Sequence, residues 1–292
     1  MYAQLTITEN RGKSPAALSM INLVLPLLLF VGLTSCYSQS QSPDSLLNKI
    51  YDLQSKRDNF YHDGLFPSKR YGVREKDKKS DNNSFFTGLI AYTLQSVYPS
   101  FSTESRKRVD SVIARARTNY PRYKNRNGDI TYNFWQTHPD QPFPNSKYSK
   151  RERFRLPDDL DVSAIICLTT KGSWKEDSLL KNKMIAYTNL YKKKIHSTYK
   201  RYRNFKAYNT WFGKDMDLEF DICVMSNVLL FACQKGLAIN QYDRETVDVV
   251  NQIVKNGDHI KHPYIISPSY QSSAVILYHL ARLLSVAPPS QF

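Results

Sequence analysis

Four stretches of this chain are apolar on nearly every side of a helix, and that feature restricts the fold more than any other. They cover residues 83–98, 158–170, 219–235 and 269–284. A helix without a polar face has to be covered all round. Between them lie 103–118, 173–194 and 242–255, which carry one apolar stripe and a charged remainder. The stripe in 103–118, for example, is Val109, Val112, Ile113 and Ala116. Striped helices belong on the outside. The alternation predicts an all-α fold of hairpins stacked round a common axis, inner and outer helices in turn. Inner helices recur at intervals of roughly 50 to 75 residues, longer than short solenoid repeats. An additional helix opens at "SPDSLLNKIYDLQSK", with a Ser-Pro start and Leu46, Leu47, Ile50 and Leu53 on one side. "SWKEDSLLKNK" has Ser173 and Glu176 in capping-box positions. Strand-like alternation is confined to "KHPYIIS", residues 261–267.

Long polar loops precede the first three inner helices, and they are rich in Tyr, Trp, Asn and His. Loops of this length usually line a site or fold over one. Hairpins running up and down would bring all three to one end. Carboxylates collect there too. In "RLPDDLDVSAIICL", Asp158, Asp159 and Asp161 follow Pro157 at a helix start, with Asp158 and Asp161 on one face if all three are helical. Asp215, Asp217, Glu219 and Asp221 precede the third inner helix. Such acids accept orphan N–H groups at about 1 kcal/mol per cap and complement the helix dipole. Capping accounts for one or two of the first three. Meeting across a shared mouth, Asp159 or Asp161 with Asp221 could instead act as acid and base, as glycoside hydrolysis requires, or hold a cation or a sugar hydroxyl. Asp158, Asp217, Tyr132, Trp135, Trp211 and Asn227 complete the candidate ligand set, the aromatics either stacking on a sugar or plugging the gap between loops. His138 is a candidate acid or base, with a merely solvated side chain as the alternative.

Two motifs resemble paired inner-helix starts in α/α-toroid proteins: "LPDDLDVSAIICL" and "YNTWFGKDMDLEFDICVMSNVLLFA". That group includes terpenoid-cyclase-like and prenyltransferase-like folds and six-hairpin glycosidases and lyases. The Asp-Asp-x-Asp start and the Asp-x-Cys-Val-x-x-Asn-Val-Leu pattern are most similar to the cyclase-like branch. The resemblance covers roughly residues 80–285 and implies an incomplete α/α toroid of about four hairpins. It implies a ligand in the toroid mouth: a carbohydrate, bound or processed, or in the cyclase-like alternative an isoprenoid. The chain departs from that branch in reading Asp158-Asp159-Leu160-Asp161 rather than Asp-x-Asp-Asp, and it has no Asp-Asp-x-x-Asp site. A scaffold that has lost its chemistry is the remaining reading.

The amino terminus places the chain. Arg11 and Lys13 precede the apolar run "MINLVLPLLLFVGL", which leads to "LTSC" ending at Cys36. This is a signal-peptide pattern, too short for a spanning helix. "LTSC" resembles a bacterial lipobox, which implies cleavage before Cys36 and acylation of that residue. The expected division is a signal peptide over 1–35, a polar tether over 36–44 and a helical domain over 45–292, with Met20 as an alternative start. Tyr37, Ser38 and Gln39 lack the acidic character that accompanies surface export in some Gram-negative groups, so a periplasm-facing anchor is expected. Lys and Arg number 41 against 26 Asp and Glu, a net charge of +15, which becomes +14 once Glu9, Arg11 and Lys13 are removed. Such a charge favours anionic lipid or acidic glycan as partner over nucleic acid in an exported protein. The basic run "YKKKIHSTYKRYRNFK", residues 191–206, either meets a phosphate-rich surface or is solvated. Cys223 and Cys233 lie about 15 Å apart on one helix, too far to bridge, and Cys167–Cys223 remains geometrically open. Free thiols are the expectation. The sequence has no Gly-rich phosphate loop, serine elbow, HExxH or paired CxxC, so no cofactor or metal is expected.

Overall fold

The computed structural model describes residues 42–56, 58, 60–70, 78–141, 143–144, 155–189, 195, 197–213 and 217–287. The expected leader, Cys36, Asp215, and positions 191–194 and 196 of the basic run lie outside them. Ten α-helices and two short strands are present among the described residues. The helices are α1 (Pro43–Leu53), α2 (Ser84–Ser96), α3 (Thr103–Arg117), α4 (Leu160–Thr169), α5 (Trp174–Ala186), α6 (Ile222–Gln234), α7 (Gln241–Lys255), α8 (Asp258–Lys261), α9 (Pro263–Ile266) and α10 (Ser273–Leu284).

Of the four helices expected to be covered all round, α4 and α6 are, whereas α10 leaves Leu277, Tyr278 and Leu284 exposed and α2 leaves Phe86 exposed, because each packs closely on one other inner helix only. α2 packs on α4, α4 on α6, and α6 on α10. Phe85, Ile165, Ile166, Val228, Leu229 and Phe231 fill the space between them. Gly88 permits the close approach of α2 and α4, since a Cβ there would stand 3.1 Å from Ile165 Cγ2. α10 returns to α2 through side chains. The Phe85 and Tyr270 rings lie 6.0 Å apart, and the Tyr278 hydroxyl is 3.5 Å from Thr93 Oγ1.

The striped helices pack outside. α3 lies against α1 and α2 and buries Val109, Val112, Ile113 and Ala116, the stripe read from the sequence. α5 sends Leu180 and Met184 inward from a start with the expected Ser173–Glu176 capping box. Lys181 of α5 donates to Asp243 of α7 at 2.5 Å, and the Tyr208 hydroxyl donates to the same oxygen at 2.9 Å. This buried pair ties two outer helices together. Burial pulls the Lys181 ammonium below its usual range, and the Asp243 charge opposes that pull.

Two local expectations need correction. "KHPYIIS" is not a strand. Gly257 adopts a positive φ of 73° and Pro263 opens a helix, so the region forms the one-turn helices α8 and α9. The strands are β1 (Ser68–Arg70) and β2 (Lys79–Asp81), antiparallel, with Ser68 opposite Asp81. They are polar and have no alternation to betray them. The cap of α3 lies one residue earlier than expected: Ser102, not Thr103, accepts from the Ser105 N–H. Cys167, Cys223 and Cys233 form no disulfide.

Gly64 gives a direct test of the α1–α3 packing. Its φ is 87°, and a Cβ there would sit 2.2 Å from the Arg115 carbonyl oxygen of α3. Gly64→Ala is expected to cost at least about 2 kcal/mol in urea unfolding. Gly128→Ala, where φ is 81° but the surroundings are open, should cost about 1 kcal/mol. Equal losses at the two positions would contradict the packing described.

Candidate functional site

The helices α2, α4 and α6 start inside the protein, and their first N–H groups need acceptors. Asn83 caps α2 by accepting from the Phe86 N–H at 3.1 Å. Asp159 caps α4, its Oδ1 accepting from the N–H groups of Asp161 at 2.7 Å and Val162 at 3.2 Å. Asp221 caps α6 in the same way, from Cys223 at 2.8 Å and Val224 at 3.4 Å. Extended segments join these starts side by side. Ser84 donates its N–H to Phe134 O, and the Asp159 N–H donates to Tyr132 O. Leu160 donates to Thr210 O, and Thr210 donates to Glu219 O. Ser267 Oγ and the Ser269 N–H donate to the two oxygens of Asp221, at 2.6 and 2.9 Å. The starts of α2, α4 and α6 and the turn before α10 therefore share one end.

The acids do converge there, and burial is their common feature. Desolvation raises the Asp159 carboxyl well above its usual range, and the charge of Asp161 adds to this. Asp161 is pushed up to about 6, again mainly by burial, with Tyr270 and Asn227 pulling the other way. Burial pushes Glu219 up to about 7, with Asp221 adding to it. Asp221 is raised by burial, while its four donors lower it.

Asp161 heads a polar column between the inner helices. Asn227 Nδ2 and the Tyr270 hydroxyl donate to its two oxygens, and Arg282 donates to Asn227 Oδ1. Gln271 holds Tyr270 in the turn before α10 with an unusual positive φ of 46°. Asn227, a ligand candidate from the sequence, meets Asp161 and Arg282.

The other sequence candidates separate. Asp158 is not in the helix and does not share a helical face with Asp161. It precedes the cap and accepts from Asn125, Thr131 and Asn133. Trp135 is buried, and its Nε1 donates to Asp81 at 2.9 Å. Trp211 is buried too and pairs its backbone with Asp159. Both plug the loops. Tyr132 is half-buried and serves Asp159 through its carbonyl. Asp217 and His138 are exposed. Tyr202 of the basic run is buried and donates to Asp258, so it offers no free face.

Beside this end lies an open cleft of about 220 Å³. Asn125, Arg126, Asn127, Asp158, Lys183 and Phe212 line it. A second hollow, of about 490 Å³, is lined by Gln95, Tyr98, Arg117 and Lys171. Neither wall includes Asp159, Asp161 or Asp221. The oxygens of these acids are engaged with helix N–H groups and side chains. No group of His, Cys, Asp and Glu among the described residues has the arrangement of a metal site. The residues that sequence reasoning missed are Arg126, Lys183 and Arg282. Only Arg282 carried a signal, as a charge inside the apolar run "SAVILYHLARLL".

Comparison with known proteins returned no matching family model, no matching curated protein and no matching solved structure.

The raised carboxyls fix the sign of a pH dependence. Between the unfolded value near 4 and the folded values of about 6 and 7, the folded state binds more protons, so its stability falls as pH rises. The urea midpoint is expected to drop between pH 5 and about 8. Glu219→Gln should flatten part of that decline; an unchanged slope in the variant would show that Glu219 does not carry it.

Proposed function

We propose that this chain is a lipid-anchored, periplasm-facing protein of the bacterial envelope whose incomplete α/α toroid binds an acidic carbohydrate. The cleft over the start of α4 is the observation that carries the reading. Asn127 supplies an amide of the kind that meets sugar hydroxyls, Asn125 and Asp158 are bonded to each other and shape the cleft, and Phe212 supplies an apolar wall. Arg126 and Lys183 add positive charge, and each has donors beyond its ion pair with Asp140 or Asp129. An anionic sugar ring fits such a set better than a neutral one.

The toroid is supported by the order of packing, α2 on α4 on α6 on α10, with α10 returning to α2 through side chains. Binding is favoured over turnover because Asp159 and Asp221 are committed to helix N–H groups. An isoprenoid would need a greasy hollow on the axis, where Asp161, Asn227, Tyr270 and Arg282 stand instead. Anchorage rests on "LTSC" at Cys36.

Calorimetric titration with uronic-acid oligosaccharides should show binding that neutral oligosaccharides of equal length lack. The double variant Arg126→Ala/Asn127→Ala should weaken it at least tenfold, about 1.4 kcal/mol, with unchanged melting. Absence of heat with every acidic glycan would remove the carbohydrate reading. Anchorage has its own check: a clickable palmitate analogue should label the full chain in bacteria and leave Cys36→Ser unlabelled.

A further inference from the structure

Among the described residues, Arg282 is a buried side chain with two nitrogens that lack an acceptor. It lies on α10 with 9% of its surface exposed. Nη2 donates to Asn227, while Nε and Nη1 have no acceptor. A guanidinium keeps its proton in any protein environment, so burial does not remove the need for partners. Asp161, the carboxylate nearest along the network, is held off by Asn227, which stands between the two. The rings of Tyr92 on α2 and Tyr278 on α10 flank the guanidinium at 5.2 and 5.3 Å. Such faces attract a cation but do not replace oxygen acceptors. His279 is buried alongside. Its Nδ1 lies 2.8 Å from Val275 O, and its Nε2 has no partner. Burial and Arg282 push the imidazole down to about 4, so it adds no competing charge.

The guanidinium lies beneath the seam where α2 meets α10. Tyr278, 44% exposed, spans that seam with its hydroxyl 3.5 Å from Thr93 Oγ1. On both sides apolar residues face solvent at helical spacing: Phe86 and Val97 along α2, Leu277 and Leu284 along α10. A buried cation lacking acceptors under a greasy, water-exposed strip calls for a ligand that is anionic at one end and apolar along the rest.

We propose that the α2–α10 seam binds a long-chain carboxylate, its head on Arg282 and its chain along Phe86, Leu277 and Leu284. Nη1 and the second hydrogen of Nη2 form a fork that matches two carboxylate oxygens. Tyr278 turns aside to admit the head. The site shares no residue with the carbohydrate cleft and stands or falls separately from it.

Calorimetry on the full chain with decanoate, 1-decanol and acetate tests this. Decanoate should bind, acetate should bind at least tenfold more weakly because it lacks the chain, and 1-decanol at least tenfold more weakly because it lacks the charge. Arg282→Gln should weaken decanoate at least tenfold. Leu277→Ser/Leu284→Ser changes only exposed positions and should also weaken it at least tenfold, which keeps the test open if Arg282→Gln does not fold. No decanoate binding, equal binding of 1-decanol, or undiminished binding in either folded variant would overturn the proposal.

Discussion

A helix that starts inside a protein leaves N–H groups that water cannot reach, and the rest of this structure depends on how they are met. Asn83, Asp159 and Asp221 supply the acceptors for α2, α4 and α6. An uncapped buried N–H costs on the order of 1–3 kcal/mol, and the N–H donors in turn offset part of the cost of burying the acids. The same residues fix the lateral arrangement. The backbone of Asp159 donates to Tyr132, its neighbour Leu160 donates to Thr210, and the side chain of Asp221 accepts from Ser267 and Ser269. Cap and lateral clasp are combined in one residue, which brings the inner helix starts to a single end.

Convergence of the starts has an electrostatic consequence. Asp159, Asp161, Glu219 and Asp221 are close enough to raise one another's affinity for protons. Asn227, Tyr270 and Arg282 relieve part of that crowding and carry the polar groups down the axis to α10. The two binding sites proposed above, the cleft at the start of α4 and the seam between α2 and α10, lie outside this column.

Much of the helical framework was legible. Apolar coverage identified α2, α4, α6 and α10, and local chemistry identified the Ser42 and Ser173 starts because a cap and its N–H donors are near neighbours in sequence. The site was legible as a set of acids but not in its roles. Asp158, Asp159 and Asp161 are adjacent in sequence, yet one meets Asn125, Thr131 and Asn133, one meets its own helix, and one meets Asn227 and Tyr270. Their partners lie up to a hundred residues away, and no local pattern specifies them. β1 and β2 were missed for a related reason: three polar residues form a strand when a matching three lie opposite.

The sequence by itself determined that the chain is mainly helical and where its eight longer helices lie, because hydrophobic period and capping act over a few residues; the one-turn helices α8 and α9 escaped it. Tertiary structure alone decided that the acidic starts close on backbone amides, that Trp135 and Trp211 are plugs, and that Arg282 is buried short of acceptors. Those outcomes depend on which surfaces meet when distant helices pack, and burial changes both the proton affinity of a carboxyl and the number of partners a guanidinium can reach.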